Sequence, residues 1–414
     1  MWKILLREFI SDMKVQRTRA FLTMFAITWG TIAVVLLVAF GEGLGTTMRN
    51  GLLNAGDRIF QVYGGETSQE FEGLPKGRRI RLQAADLNLV MKNIPDIDAG
   101  SVSYGKWGTN LEVGKTRTTT FMEAVDPSFE DLRRMFPAAG GRFLNDRDNL
   151  EKRRVVFLGD EIAARLFGRA DVVGEVVMID GLPFTVVGVM QKKLQTSMNN
   201  GPDANRVVIP STTFEAINGW RYVSHLVVRP RSVHASPMVK AELYRILGSR
   251  YKFDPTDERA LGVWDFIEQE KIGARVFMGI TIFLGAVGGL TLLLAGVGVA
   301  NIMYVTVRER TREFGVKRAL GARKYHIKLQ VVFEALLLSI AGGATGLAIS
   351  SAVIGGMRSI PNKEGAMQFL ANPTLSLPVA LTTVGVLLLI GLVAGYFPAR
   401  KAASVDPVDA LRFE

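Results

Sequence analysis

Apolar positions run almost unbroken through four stretches of the chain, residues 20–41, 274–307, 331–356 and 376–399. At about 1.5 Å of rise per residue, a stretch of some 22 residues reaches roughly 33 Å as a helix, enough to cross a hydrocarbon core about 30 Å thick. The pattern predicts a membrane protein with four transmembrane helices, one alone and three together. Between the first and second, residues 42–273 change character. Arg58 to Tyr63 alternates like a strand before Gly64-Gly65, and Leu82, Leu87, Val90, Met91 and Ile94 return at helical spacing with Asp86 in the first turn. Further on come a strand at 155–158, a helix at 162–167, and two apolar strands at 176–179 and 184–189 flanking a Gly181-Leu182-Pro183 turn. A polar segment, 192–205, reads as a mobile loop around Gly201-Pro202, and is followed by strands at 207–210 and 226–228 and a helix near 238–247. The expectation is an α+β domain outside the membrane, long enough for two subdomains.

Charge supplies the orientation. Residues 1–19 carry five Lys/Arg against two acids, and residues 308–330 carry eight against two, while the large domain is nearly balanced. Cationic segments stay on the cytoplasmic side. The N-terminus, the 308–330 loop and the 400–414 tail are therefore expected inside the cell, with the large domain and the short 357–375 loop outside. This placement uses up the net charge of +11, and nucleic acid drops out as a partner. Trp2, Leu5, Leu6, Phe9, Ile10 and Met13 fall on one face of a helix lying on the inner membrane surface, in contact with lipid. The first apolar stretch exceeds a signal-peptide core and reads as an uncleaved anchor.

Candidate chemistry is sparse. There is no cysteine, and His225, His234 and His326 are too widely spaced to suggest a metal site. Gly108 and Gly114-Lys115-Thr116 imitate a phosphate loop with five intervening residues in place of four; no strand leads in and no helix pattern follows, so a turn between strands is the better reading. No nucleophile or acid pair emerges. Within the spans, Gly285 and Gly289, Gly342 and Gly346, and Gly391 and Gly395 form three small-residue pairs suited to close helix packing. Glu334 is expected at the cytoplasmic interface, and Asn301 is placed to hydrogen-bond across helices. With no relay of intramembrane carboxylates, energy must come from elsewhere.

The most informative segment is Glu309-Arg310-Thr311-Arg312-Glu313-Phe314-Gly315-Val316-Lys317-Arg318-Ala319-Leu320-Gly321-Ala322, too charged for lipid, with Gly315 and Gly321 expected to break it into short helical pieces. It resembles the segment between spans two and three in the permeases of the MacB and FtsX family, the type VII ABC transporters. Phe157-Leu158-Gly159, Pro183 to Val189, Phe333-Glu334-Ala335 and the ending Tyr396-Phe397-Pro398-Ala399-Arg400 to Asp406-Pro407-Val408-Asp409-Ala410-Leu411-Arg412 resemble the same family, and Asp406 with Pro407 suits the start of a final short helix.

The resemblance implies a bacterial inner-membrane permease that is not itself an enzyme and binds no cofactor, ATP and Mg²⁺ belonging to a partner ABC ATPase. Because no ATPase precedes the first span here, that partner is expected on a separate chain. It further implies a dimer with a second copy or paralogue, and mechanotransmission from the ATPase to the outer domain through the long helices. Glu309, Arg312, Glu313, Gly315, Lys317, Ala319, Leu320 and Gly321 carry over as coupling residues, each matching the motif. Export of a hydrophobic or amphipathic cargo, with a periplasmic adaptor and outer-membrane duct, is the leading expectation; lipoprotein release, control of a cell-wall hydrolase and a membrane-held receptor without an ATPase are the alternatives.

Overall fold

The computed structural model describes residues 17–169, 171–196, 200–360 and 373–404. Of the amphipathic helix expected over residues 1–19, residues 1–16 lie outside them, as does the cap expected at Asp406, and residues 17–19 already belong to the first long helix. The chain divides into two compact units, Met48–Gly273 and Met1–Thr47 with Ala274–Glu414.

In the first unit the strands are β1 (Phe60–Gly64), β2 (Ile97–Val113), β3 (Thr116–Val125), β4 (Val155–Leu158), β5 (Val176–Ile179), β6 (Leu182–Val189), β7 (Arg206–Pro210), β8 (His225–Pro230) and β9 (Leu261–Asp265). They hydrogen-bond in the order β3-β7-β4-β6-β5-β2-β8-β1-β9. The long β2 organises this sheet: its first half pairs with β8, its second half with β3, and Leu111-Glu112 also reaches β5. Strands β2, β3, β7, β4, β6 and β5 thus close into a ring, with β8, β1 and β9 extending beyond it. One buried cluster includes Leu111, Met122, Val156, Val186 and Ile209; another collects Phe129, Leu132, Phe143, Phe157 and Val208.

The β5–β6 hairpin turns at Asp180-Gly181, where both residues have positive φ (48° and 81°) as a two-residue turn of this kind requires, and not at Gly181-Leu182-Pro183. Leu182 and Pro183 already belong to β6. The phosphate-loop mimic is the tip of the β2–β3 hairpin, where Val113 pairs with Thr116 around Gly114-Lys115.

The described residues of the 192–205 segment, 192–196 and 200–205, depart from their expected looseness. Asp203 is fully buried and pairs with Arg133 (2.8 Å), Lys193 (2.8 Å) and Arg206 (3.1 Å), and Arg206 also pairs with Glu123. Burial opposes ionisation of Asp203, but the three surrounding cations hold its carboxyl far below the ordinary range. The Lys193 ammonium, pushed down to about 8 by burial against the pull of Asp203, also donates to the carbonyls of Asn54 and Arg133. The Asn54 amide returns a bond to the Leu194 carbonyl, and the Thr196 N–H reaches that of Gly51. His225 completes this polar interior; burial pushes its pKa down to about 4, helped by Arg133 and Arg206 and opposed by Glu123, and neither ring nitrogen has a hydrogen-bond partner among the described residues.

Among the described residues four helices are long and apolar enough to cross a membrane: α1 (Arg17–Leu53) and, numbering past the six short helices of the first unit, α8 (Phe266–Glu309), α10 (Lys324–Arg358) and α11 (Leu377–Ala403); the second unit holds α10, α11, α1 as far as Thr47 and α8 from Ala274. α1, α8 and α10 outrun their apolar stretches at both ends and α11 at its C-terminal end, because the polar residues there are compatible with helix and no proline or left-handed residue stops the helix. Gly342 and Gly346 lie against α1, where a Cβ would come within 2.9 Å of Ile27 and 2.6 Å of Thr31; Gly395 would meet Ala335 at 2.7 Å, and Gly391 sits on Ser339. The Thr28 hydroxyl donates to the Gly342 carbonyl (3.0 Å). Gly285 and Gly289, by contrast, have nothing within 4 Å; the close approach of α8 falls instead at Gly288 against Val34 and Gly296 against Ile390. Asn301 is exposed, and the cross-helix bond expected of it is not formed among the described residues.

Candidate coupling site

Between α8 and α10 the chain forms not a loop but a helix–turn unit, with α9 spanning Thr311–Ala319. The interruption after Glu309 has a local cause. The Thr311 hydroxyl donates to the carbonyls of Val307 (3.1 Å) and Arg308 (2.7 Å), competing with the helix ladder, and Arg310 leaves helical geometry. Glu313 lies in the first turn of α9 and Lys317 and Arg318 in the last, which complements the helix dipole. The helix ends where Gly321 takes φ +94°, with its N–H on the Arg318 carbonyl and that of Ala322 on the Lys317 carbonyl. Gly315, expected to break the helix, is instead buried within it.

The inner face of α9 is locked by one aromatic ring and a chain of charges. Phe314 is 1% exposed and belongs to the same buried cluster as Met303, Ile327, Val331 and Ala399. The Arg310 guanidinium lies 5.3 Å from its ring centroid and bridges two carboxylates, Glu313 (2.7 Å) and Glu334 (3.0 Å). Lys317 joins Glu313 (2.9 Å) to the Gln330 carbonyl oxygen (3.3 Å), and the Gln330 amide donates to Glu334 (3.4 Å). Although burial works against the Glu313 charge, Arg310 and Lys317 bring its pKa down to about 2, so it is ionised throughout the physiological range.

The outer face has a different composition. Glu309, Arg312, Ala319, Leu320 and Gly321 are exposed, Leu320 at 83%, and Val316 adds apolar surface. Beside it, Val305, Arg308, Glu309, Thr311 and Arg312 line an open cavity of about 530 Å³. The carried-over residues therefore separate into an inward group, Gly315, Lys317 and part of Glu313, and an outward group, Glu309, Arg312, Ala319, Leu320 and Gly321. Two residues outside that set organise the inward group, Arg310 and Glu334. The three-residue spacing of Arg310 and Glu313 is a visible signal for the first, whereas the partnership with Glu334 spans 24 positions and only the fold reveals it.

Residues 20–246 match the MacB-like periplasmic core domain family, and residues 285–407 match the FtsX-like permease C-terminal family. The chain is 27% identical over 411 residues to the macrolide export ATP-binding/permease protein MacB of Bdellovibrio bacteriovorus, covering 99% of this chain and 61% of that protein. It is 31% identical over 413 residues to the pyoverdine export ATP-binding/permease protein PvdT of Pseudomonas entomophila, covering 97% of this chain and 58% of that protein. The chain thus spans about three fifths of the length of the curated relatives it matches. Among solved structures, the periplasmic region of MacB from Actinobacillus actinomycetemcomitans aligns at 17% identity with a TM-score of 0.42, covering 53% of this chain and 94% of that one. Two family domains matched in order, the first across more than half of the residues and running from the first membrane-capable helix through the sheet unit, make this chain a member of the MacB/FtsX-like family of ABC transporter permeases.

Proposed function

We propose that this chain is the force-transmitting permease of an exporter in a bacterial inner membrane, with both termini in the cytoplasm and the β-sheet unit outside. An ABC ATPase docks on the outward face of α9, and its ATP-driven closure moves α1 and α8, each an uninterrupted helix far longer than a bilayer crossing requires. The observation that carries this reading is the two-sided construction of α9. Its inner face is fastened by Arg310, Phe314 and Glu334, so a push on the helix is passed on and not absorbed; its outer face offers Leu320 and Val316 among charges, the composition of an anchor in a transient interface. Binding and hydrolysis of ATP with Mg²⁺ belong to the ATPase. A second copy of the chain completes the membrane assembly. The cargo is hydrophobic or amphipathic, in keeping with macrolide and pyoverdine export by the named relatives, and leaves through an adaptor and outer duct.

The test is a tagged full-length chain purified from its native membrane with its partners identified by mass spectrometry. Leu320→Asp should remove the co-purifying ABC ATPase at least about tenfold, as loss of a buried apolar anchor at an interface does, while leaving the melting temperature of the permease unchanged. Undiminished recovery of the ATPase with Leu320→Asp would reject α9 as its dock.

A further inference from the structure

In the β-sheet unit a cavity of about 310 Å³ opens beside the β2–β3 hairpin. Its most conspicuous wall is Trp107, 65% exposed although it sits within a strand. The register of the hairpin explains the exposure. From Lys106 to Thr109 β2 advances three residues while β3 advances two, from Met122 to Thr120, and the extra residue forms a bulge in which Gly108 takes φ +71°. One carboxylate braces both sides of that bulge: Asp180 pairs with Lys106 (2.8 Å) and accepts from the Asn110 N–H (2.9 Å). The indole is backed from within by the Phe121 ring at 4.8 Å, which in turn lies 5.5 Å from the Arg206 guanidinium. It is a rigid aromatic shelf with its other face towards solvent.

The rest of the wall is polar and already oriented. Asn205 uses its carboxamide twice, donating to Glu161 and accepting from Arg165 Nη2 (2.9 Å), while the Thr120 hydroxyl donates to its backbone carbonyl. The Gly201 carbonyl is held by Arg206 Nη2 (2.8 Å), which fixes the Gly201-Pro202 side of the cavity to the buried charge cluster. Among the described residues Arg165 has no carboxylate partner, and the Asn205 contact occupies one of its five N–H donors. A flat shelf, hydrogen-bonding groups around it and an uncompensated guanidinium at the rim together define a ligand.

We propose that this pocket binds a planar aromatic ring bearing an anionic edge group, such as an aryl carboxylate, with the ring on Trp107 and the anion on Arg165. The volume suits one or two fused rings, at the small end of ligand cavities. The site stands apart from the coupling reading, since binding here requires neither an ATPase nor a bilayer, and failure of either leaves the other in place.

The experiment is isothermal titration of the intact detergent-solubilised chain with 2-naphthoate, and with 2-naphthamide as the neutral isostere, against a micelle blank. The expected result is saturable one-to-one binding of naphthoate with Kd on the order of 1 mM or tighter. Trp107→Ala should weaken it about tenfold or more through loss of the ring contact. Arg165→Gln should abolish the preference for naphthoate over naphthamide, and Arg165→Lys should restore part of it. Trp264→Phe, on the edge strand β9, serves as the control and should bind as the unaltered chain does. Absence of saturation, or unchanged affinity in a Trp107→Ala chain with unaltered melting, would overturn the proposal.

Discussion

Replacing His225 by Phe should remove an acid sensitivity built into the outer unit. The imidazole is buried against the Tyr63 ring at 4.8 Å, has no hydrogen-bond partner at either nitrogen among the described residues, and shares its surroundings with Glu123, Arg133 and Arg206. In the unfolded chain it takes up a proton at its ordinary pKa of 6.5, whereas in the folded chain burial delays this until about 4. The unfolded state therefore binds more protons between those limits. Stability from this group is complete above pH 6.5 and is lost as the pH falls towards 4, by about 3 kcal/mol in all at roughly 1.4 kcal/mol for each tenfold in acidity. The carboxyls of Asp203 and Glu123 are held below their ordinary range, and those of Glu130 and Asp160, raised by burial, contribute with the opposite sign. Asp203, Glu130 and Asp160 are common to both proteins and cancel in the difference, whereas Glu123, which the His225 charge helps to hold low, loses that contribution in the variant. Phe keeps the ring contact and removes two unpartnered nitrogens, so at pH 7 the variant should be within about 1 kcal/mol of the original. Hydrogen exchange of the most protected β8 amides, measured on the intact chain from pH 4 to 7 and corrected for intrinsic rates, reads the effect. Parallel stability curves for the two proteins would refute the reasoning.

Asp203→Asn leaves Arg133, Arg206 and Lys193 in a buried cluster with one carboxylate fewer, and should cost about 3–5 kcal/mol. Exchange should quicken not only in β7 but also at residues 51–55, because Lys193 and Thr196 bridge to the carbonyls of Asn54 and Gly51; protection retained at 51–55 would contradict that link. Gly346→Leu forces α10 from Thr31 of α1 and should cost roughly 1–3 kcal/mol, read as a lower melting temperature in nanodiscs. Gly289→Leu, at a position with open space in this chain, should leave melting unchanged.

The four membrane-capable helices announce themselves in sequence because an apolar run of that length has few other uses, and the hairpins because Val, Ile and Phe cluster on either side of glycine turns. Element ends are less visible. Glu42 to Leu53 is polar enough to suggest that α1 has ended, yet nothing there forbids helix and it continues. Small-residue spacing marks helices able to approach closely without stating which face meets a neighbour, and so Gly285 and Gly289 attract notice while Gly288 makes the contact. Lys193 and Asp203 read as loop residues for a related reason. A charged residue in a polar segment resembles solvent-exposed chain until partners as distant as Asn54 and Arg133 are brought beside it.

The same blindness to distant partners shaped the expectation at α9, and correcting it changes which residues test the coupling. Glu313 and Lys317 sit in the middle of the family segment and invite charge reversal as probes of an ATPase contact. In the structure they belong to a chain that runs from Lys317 through Glu313 and Arg310 to Glu334 on α10, whose side chain is only 9% exposed. Reversing either charge would set like charges against one another inside that chain, and loss of coupling would then report a loosened helix as readily as a lost dock. Arg312 and Leu320 point away from the network and are free of this ambiguity. The division also has a mechanical consequence. With Phe314 buried in the cluster that includes Ile327 and Val331 and Arg310 tied to Glu334, α9 cannot rotate alone without exposing an aromatic ring and separating a buried ion pair, each worth several times thermal energy. A displacement applied at Leu320 would therefore pass to α10 in the same stroke, the stiffness that the proposed transmission of force requires.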